Sequence, residues 1–355
     1  MIFLAFRMHC LHFRHSLKLL GFAQIMTIQL GDTVLNSRVL LAPMSGVTDL
    51  AFRQCVAKVS SAQVVSEMVA SEEWVKARPD VMLRAEGAGL TPFMLQLAGR
   101  DPHWMREGAR LACEAGADIV DINMGCPSRK VTGGLSGSAL MRDADLAENI
   151  IAATCEGSAK PVTLKMRLGW DEDSLNAPHL ACVAQGLGVQ MITVHGRTRC
   201  QFYKGEANWD AVADTVAAVD IPVIVNGDII DGETAKAALA ASGAAGVMVG
   251  RAAVGRPWLL GQIEGFLEHG IWAPDPEPEA QWQIFREWYQ ACLALYGDYL
   301  GVRVGRKHIA GFIESFMGAQ EGRQMRAEIC RSHNPEVVLG AMQNMYETQT
   351  QEVAA

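Results

Sequence analysis

One cysteine of the sequence lies where a thiol can take part in chemistry. Cys126 stands between a glycine and a proline, directly after an apolar run with the composition of a buried strand. Cys55, Cys113 and Cys155 fall instead within helical patterns, where a cysteine is usually a small packing residue. A loop thiol can act as a general acid that protonates a reacting carbon. On position alone, the alternative that this thiol has no role stays open.

The elements that must position this thiol alternate regularly along the chain. From residue 38, short β-branched or apolar runs alternate with helix-like segments. The eight runs are RVLLAPM (38–44), AQVVSEM (62–68), TPFMLQLAG (91–99), ADIVDINMGC (117–126), PVTLKMR (161–167), VQMITVHGR (189–197), IPVIVNGD (221–228) and AGVMVGR (245–251). Eight strands that are apolar on both faces predict an α/β fold, a closed (β/α)₈ TIM barrel. An open doubly wound sheet is the alternative, but LAPMSGVTD after the first run is not the GxGxxG turn typical of that fold.

The ends of the last two predicted strands indicate a phosphate site. Active sites of such barrels lie at the carboxyl ends of the strands. These ends read Asn226-Gly227-Asp228 and Gly250-Arg251. Barrels commonly hold phosphate between these two loops, because glycine lets backbone amides approach the anion and arginine can neutralise it. Either sequence alone is compatible with an ordinary turn, so the prediction depends on both occurring together.

Three further residues at strand ends suggest which ligand the phosphate group belongs to. Lys165 lies near the end of the fifth run, and His195 ends the strand of the sixth. A lysine that faces a barrel interior is rarely buried without a partner, and reduced isoalloxazine carries negative charge that a cation stabilises. The amide of Gln96 can contact the same ring edge. His195 alone is compatible with a structural role, but the combined set predicts bound flavin mononucleotide (FMN).

Composition limits the classes of partner. The 355 residues are 50% apolar and carry a net charge of −8, which disfavours nonspecific coating of nucleic acid but permits a local basic face. The nine cysteines show neither metal-binding nor disulfide spacing, so we expect free thiols and no metal site. No apolar run reaches transmembrane length, and we expect no membrane partner.

Changes in composition along the chain predict its division. Residues 1–25 precede the strand pattern and contain no acidic residue. A transit peptide is one interpretation; the one we favour is a non-native or disordered extension, with translation beginning at Met26. The remaining predicted segments are a barrel at 26–272, a Pro-rich acidic linker at 273–280, a helical domain at 281–347 and a flexible tail at 348–355.

Seven motifs in order resemble one enzyme family. LAPMSGVTD, SEMV, NMGCPSRKV, KMRLGW, HGRTRCQFYKGEANW, VNGDI and VGRAAVGRPW are similar to those of the tRNA-dihydrouridine synthases, particularly their bacterial B-type branch. The resemblance runs from about residue 28 to 340, and NMGCP and HGRTR are its most specific elements. It implies an enzyme that binds FMN on the barrel rim, oxidises NADPH and reduces a D-loop uridine of tRNA. We expect a cytoplasmic monomer.

The resemblance also implies roles for individual residues. Cys126 becomes the proton donor to the uracil ring, and Asn123 becomes a contact to the target base. FMN is expected against Pro43, Met44, Gln96, Lys165, His195, Asn226, Gly227, Asp228, Gly250 and Arg251. The residues expected against tRNA or its flipped nucleotide are Arg197, Arg199, Tyr203 and Lys204 after the sixth strand, with Arg306 and Lys307 in the helical domain.

Two departures from the family pattern bear on RNA binding. The segment 129–138 is less basic than in the family, and Gly311-Phe312 replaces an aromatic pair that tends to follow its RKH motif. Residues 303–331 nevertheless contain six arginine or lysine residues against three glutamates, which favours an RNA-facing surface over a merely solvated helix face. Two other functions stay open: an FMN barrel that acts on a free small molecule, like dihydroorotate dehydrogenase, and a tRNA-binding protein without catalysis.

Overall fold

The structure, a computed structural model, describes residues 27–354, so the predictions for residues 1–25 lie outside it. Its strands are β1 Ile28–Leu30, β2 Thr33–Leu35, β3 Val39–Leu41, β4 Gln63–Val64, β5 Val69–Ala70, β6 Met94–Ala98, β7 Ile119–Met124, β8 Val162–Arg167, β9 Val189–His195, β10 Val223–Asn226 and β11 Gly246–Val249. Strands β3 to β11 form one parallel sheet. Each of the eight predicted runs contains one of its strands, and the predicted (β/α)₈ barrel is confirmed.

The sheet closes between β4 and β6. Val65, just after β4, pairs in parallel with Met94 at the start of β6, and the Ser66 amide donates to Met94 O at 3.0 Å. The chain then leaves the sheet at Glu67 and returns to β6 as β5. The predicted second strand is therefore interrupted. The interruption lets the Glu67 carboxylate accept from the Gly46 amide at 2.6 Å, in the loop after β3.

Alternate residues of the barrel strands fill its interior. The interior cluster contains Leu40, Ala42, Val65, Met94, Ile119, Met191, Ile224 and Met248. The β1–β2 hairpin covers the amino ends of the strands, because buried Leu30 and Leu35 join this cluster. Val39 and Leu41, which alternate with Leu40, belong to the outer core instead, as the two-residue period of a strand requires.

Helices surround the barrel in the expected alternation. They are α1 Leu50–Val59, α2 Ser71–Val75, α3 Pro79–Met82, α4 Pro102–Glu114, α5 Arg129–Thr132, α6 Ala144–Gly157, α7 Ala177–Gly186, α8 Asp210–Ala218, α9 Gly232–Ser242 and α10 Leu259–His269, with 3₁₀ turns at Leu83–Ala85, Gly137–Arg142 and Arg251–Ala253. Asp49 and Asp143 cap α1 and α6 by accepting backbone N–H bonds at 2.9 and 3.0 Å. Such caps typically contribute about 1 kcal/mol.

Three helices follow the barrel and form a helical region at residues 278–354: α11 Pro278–Met317, α12 Arg323–Ile329 and α13 Pro335–Ala354. Helix α11 begins before residue 281 because proline is favourable in a first helical turn. It bends at Gly297, whose φ of 72° is accessible to glycine. The segment predicted as a flexible tail is helical up to Ala354, since residues 348–354 contain neither glycine nor proline to end the helix.

The helical region shares its core with the barrel. Phe312 of α11 packs against Phe285 at 5.2 Å between ring centroids and against Trp258, just before α10, at 5.9 Å. These rings belong to the same apolar cluster as Phe52 of α1. The predicted linker is anchored as well, because Asp275 accepts from Trp258 Nε1 at 3.0 Å. Among residues 27–354, none of the helices has the length and apolar character needed to cross a membrane.

Candidate active site

The carboxyl ends of the strands bring five of the predicted site residues to one rim. Gln96, Asn123, Lys165, His195 and Asn226 lie at the ends of β6 to β10. The parallel register places Asn123 opposite Lys165, and His195 opposite Asn226. Lys165 Nζ donates to Asn226 Oδ1 at 2.9 Å. The barrel thus assembles side chains that are up to 130 residues apart in the sequence.

The Lys165 ammonium is half-buried and has an uncharged hydrogen-bond partner. Burial, and then the guanidinium of Arg167, lowers the pKa of Lys165 to about 8. The side chain therefore remains mostly cationic at neutral pH. A partly buried cation that contacts an amide oxygen rather than a carboxylate favours the binding of an anionic group at this position.

His195 lies within the same positive field. Burial lowers its pKa well below the ordinary value, and Arg167, Lys165, Arg197 and Arg251 act in the same direction. The imidazole is therefore neutral at physiological pH and offers one nitrogen as a donor and the other as an acceptor. A neutral ring surrounded by cations suits a ligand that carries both negative charge and hydrogen-bonding groups.

The two glycine loops predicted to hold phosphate are neighbours, because β10 pairs with β11. Gly227 has a φ of 120°, and a Cβ at this position would lie 2.9 Å from His195 Cδ2, so only glycine fits. A Cβ at Gly250 would lie 3.8 Å from Met44 Sδ, which places the end of β3, with half-buried Pro43 and Met44, beside the second loop. The loops and the end of β3 line one side of the rim.

Arg251 and Asp228 differ in their availability to a ligand. The Arg251 side chain is 63% exposed, and its Nη2 is 3.4 Å from Asp228 Oδ1. Asp228 is engaged more firmly: Oδ1 accepts from Arg197 Nη1 at 3.0 Å, and Oδ2 accepts from the Ala207 amide at 2.8 Å. An ionised carboxylate would also repel a phosphate. The Asp228 side chain therefore orients the two arginines, and the predicted contact of this residue with FMN stays a prediction.

Gln96, for which a direct flavin contact is predicted, lies in a buried hydrogen-bond network beneath the rim, and the flavin contact stays a prediction. It is 0% exposed, and both of its polar atoms have partners. Nε2 donates to Asp121 Oδ2 at 2.6 Å, and Oε1 accepts from Asn123 Nδ2 at 2.7 Å. Asp121, in turn, accepts from the Thr163 hydroxyl at 2.5 Å. This buried chain of hydrogen bonds supports Asn123 from below. The sequence contains a signal for this network. Asp121 lies two residues before Asn123 in the same strand, so both side chains point to the same face of the sheet.

The Cys126 loop is held at several backbone groups. The Cys126 amide donates to Asn123 Oδ1 at 3.0 Å, and its carbonyl accepts from the Ser138 hydroxyl at 2.8 Å. Gly137, with a φ of 60°, approaches so closely that a Cβ there would lie 2.9 Å from Cys126 O. The thiol is partly exposed and is not in a disulfide. These contacts fix the backbone that carries the thiol at the rim.

Arg167, which was not predicted from the sequence, connects the cysteine loop to the loop after β9. Its Nε donates to Gly125 O at 2.8 Å, and its Nη1 donates to Thr198 O and Phe202 O at 2.9 Å each. Burial lowers its pKa to about 10, so the guanidinium stays charged at neutral pH. The signal in the sequence is its position two residues after Lys165 on one strand, which turns both side chains to the same face.

The loop after β9 contains four residues that were predicted to contact substrate, and they divide into two pairs. Arg197 is 1% exposed and bonded to Asp228, Lys204 O and Gly205 O, which removes its side chain from any substrate surface. Arg199 is half-buried between the rings of Trp170 and Phe202. Tyr203 and Lys204 are exposed, and the Tyr203 ring lies 5.2 Å from the Arg251 guanidinium.

The two residues of the helical region that were predicted to contact RNA differ from each other in their surroundings. Lys307 is exposed at the barrel mouth, with Nζ 3.4 Å from Gly46 O in the loop after β3. Arg306 is half-buried and points toward α12 and α13, with Nη2 3.4 Å from Ser332 O. Lys307 is therefore well placed to meet a ligand at the mouth, whereas Arg306 mainly joins helices.

Comparison with known proteins connects this geometry to a family. The profile of the family described as dihydrouridine synthase matches residues 40–351. The chain is 49% identical over 325 residues to a probable tRNA-dihydrouridine synthase of Rhodobacter capsulatus, covering 90% of this chain and 98% of that protein. It is 41% identical over 298 residues to tRNA-dihydrouridine synthase B of Pseudomonas putida, covering 83% and 88%.

Among solved structures, histamine dehydrogenase from Rhizobium sp. 4-9 is similar in fold, with a TM-score of 0.52 at 13% identity over 68% of this chain and 48% of that one. This likeness extends to the barrel fold alone. The family profile, in contrast, spans most of the chain, and the two synthases align along nearly their full lengths. The chain belongs to the dihydrouridine synthase family.

Proposed function

We propose that this protein reduces uridine to 5,6-dihydrouridine in tRNA, with FMN as its bound cofactor and NADPH as the reductant. The observation that carries the proposal is the rim itself, where Lys165, Arg167 and Arg251 create a positive field around neutral His195, beside the Cys126 loop. The substrate class follows from membership of the family and from the names of the relatives. The donor set of the rim supports FMN as the cofactor.

The rim fits FMN because a cation near the barrel axis adjoins two glycine loops. Lys165 would stabilise the negative charge of the ring system, and His195 and Asn226 would provide hydrogen bonds beside it. Gly227, Gly250 and exposed Arg251 would hold the phosphate. When bound and reduced by NADPH, the flavin supplies the hydride that the reaction requires.

We assign the proton to Cys126. Its thiol gives a proton to one carbon of the uracil double bond while the adjacent carbon receives the hydride, so that the bond becomes saturated. Contacts from Asn123, Ser138 and Arg167 hold the loop, which keeps the donor oriented before substrate arrives. Asn123 Nδ2 uses one hydrogen on Gln96, and its second N–H remains for the target base.

The tRNA contacts follow from exposure and charge. The Tyr203 ring is 53% exposed beside the rim and can stack on a base that has been flipped out of the RNA. Lys204 and Lys307 are exposed on two sides of the mouth and can contact phosphates. Arg197 has no such role in this proposal, because it is buried against Asp228.

Nucleoside mass spectrometry of tRNA from a strain that lacks the gene tests the proposal. At least one uridine should fail to become dihydrouridine. Wild-type protein should restore it, and the Cys126→Ala variant should not. An unchanged dihydrouridine content would overturn the proposal. A purified protein that reduces a free pyrimidine and leaves tRNA unmodified would favour the small-molecule alternative instead.

A further inference from the structure

A histidine from the helical region is buried at the contact between that region and the barrel. His308 lies in α11 and is 2% exposed. Its ring packs 4.0 Å from the Phe52 ring of α1 and 5.1 Å from Trp288, between centroids. A histidine in an apolar site of this kind requires hydrogen bonds for both ring nitrogens, because an unpaired buried nitrogen is costly.

Both partners of His308 are backbone groups of barrel loops. The Gly255 amide donates to His308 Nδ1 at 3.3 Å. Nδ1 is therefore the unprotonated nitrogen, and Nε2 carries the proton and donates to Val47 O at 2.8 Å. Burial lowers the pKa of His308 to about 4, so this neutral tautomer persists at physiological pH.

The two loops that His308 joins are those that flank the rim. Val47 lies in the loop between β3 and α1, which also contains Pro43 and Met44. Gly255 follows Arg251 in the loop after β11. The histidine thus bridges the first and the last loop of the barrel, which are adjacent because β3 pairs with β11.

A second contact brings the last loop onto α11. Gly255 has a φ of 73°, and a Cβ at this position would lie 2.2 Å from the backbone carbon of Gly311. A Cβ at Gly311 would lie 2.5 Å from Val254 O. The glycine at 311, where the family tends to have an aromatic residue, therefore permits direct packing of backbone on backbone.

We propose that His308, from the helical region, is a positioning residue. It holds the loop after β3 and the loop after β11 in fixed positions relative to each other, and both loops contain residues of the proposed FMN site. This inference rests on the proposed FMN site. The competing interpretation is that His308 only fills the space between two aromatic rings. The two interpretations differ in what should happen when the ring is retained but its hydrogen bonds are removed.

Three variants separate these interpretations. His308→Phe fills the site and removes both hydrogen bonds. His308→Gln places an amide N–H near the position of Nε2 and can retain the Val47 contact, whereas His308→Asn places an oxygen near Nδ1 and can retain the Gly255 contact. The measurements are hydrogen exchange of the 44–48 and 250–256 loops in flavin-free protein, FMN dissociation constants by equilibrium dialysis, and melting temperature.

We expect His308→Phe to speed exchange in both loops and to weaken FMN binding about tenfold, in line with the loss of buried hydrogen bonds. His308→Gln should keep slow hydrogen exchange only in the 44–48 loop, and His308→Asn only in the 250–256 loop. Both variants should bind FMN with an affinity between those of wild type and His308→Phe. Wild-type exchange and FMN affinity in the Phe variant, whatever its melting temperature, would overturn the inference. If that variant is insoluble, identical exchange of both loops in the Gln and Asn variants would do so. A wild-type protein that binds no FMN would refute the proposed function, while the exchange data would still test the bridge.

Discussion

Replacing Asp121 with asparagine should stabilise the protein at neutral pH, although the residue lies at the centre of a hydrogen-bond network. Asp121 is buried beneath the rim, and burial raises its pKa from the ordinary 3.8 to about 6. Hydrogen bonds from Thr163 and Gln96 and the charge of Lys165 lower it only in part. The protein therefore keeps a buried carboxylate that is unfavourable for folding when it is ionised.

The pKa change sets the size and the pH range of this effect. A carboxyl group whose pKa rises on folding binds its proton more tightly in the folded state, so stability falls as pH rises through the interval between the two pKa values. At 1.36 kcal/mol per pH unit, the penalty grows between about pH 4 and pH 6 and reaches about 3 kcal/mol above it. Asparagine cannot ionise. Its oxygen can accept from Gln96, and its N–H can donate to the Thr163 hydroxyl.

Urea unfolding of the flavin-free protein at several pH values measures the difference. Asp121→Asn should gain about 3 kcal/mol relative to wild type at pH 7.5 and much less near pH 4. Thr163→Val is the matched control, because it removes one partner of Asp121 but keeps the carboxyl group and hence the fall in stability with rising pH. A stability difference between Asp121→Asn and wild type that does not vary with pH would show that ionisation of Asp121 does not destabilise the fold.

The remaining predictions concern the rim and the mouth. Cys126→Ala should retain FMN and its reduction by NADPH but slow the oxidation of reduced flavin by tRNA by about 10²–10⁴-fold; a wild-type rate in rapid mixing would exclude the thiol as the acid. Arg251→Glu should release FMN because it places negative charge beside the phosphate, whereas Arg251→Gln should weaken binding less, and equal flavin retention by both in dialysis would contradict the phosphate assignment. Lys307→Gln should weaken tRNA binding and reduce the slope of log affinity against log salt by about one, with NADPH oxidation retained; an unchanged slope would remove Lys307 from the interface. Arg306→Gln should instead lower the melting temperature, because Arg306 contacts Ser332 O within the helical region; an unaltered melting temperature with weaker tRNA binding would return it to the RNA surface.

The barrel was predictable because its signals are local. Each strand is a short apolar run, and the caps Asp49 and Asp143 precede their helices as the capping rules require. The grouping of Lys165, His195 and Asn226 was also predictable, because every parallel strand of a barrel ends at the same face. These predictions depend on strand period and topology, which the sequence expresses directly.

Side-chain partners were harder to predict because they come from distant parts of the chain. The sequence suggests that the Gln96 amide contacts a ligand, but it does not show that Asp121 and Asn123 are the hydrogen-bond partners of this amide. Arg197 belongs to an RNA-like basic loop, but Asp228 draws it into the rim. The bridge made by His308 depends on the packing of α11 against the barrel, which no local pattern specifies.

Reduced flavin on this rim is expected to reduce uridine in tRNA. The most direct measurement is an anaerobic single turnover, in which protein whose flavin has been reduced by a stoichiometric amount of NADPH is mixed with unmodified tRNA. We predict that the visible absorption of oxidised flavin returns and that one dihydrouridine appears in the tRNA for each flavin oxidised. Flavin that stays reduced with saturating tRNA, or that reoxidises without forming dihydrouridine, would exclude this protein as a flavin-dependent tRNA-dihydrouridine synthase.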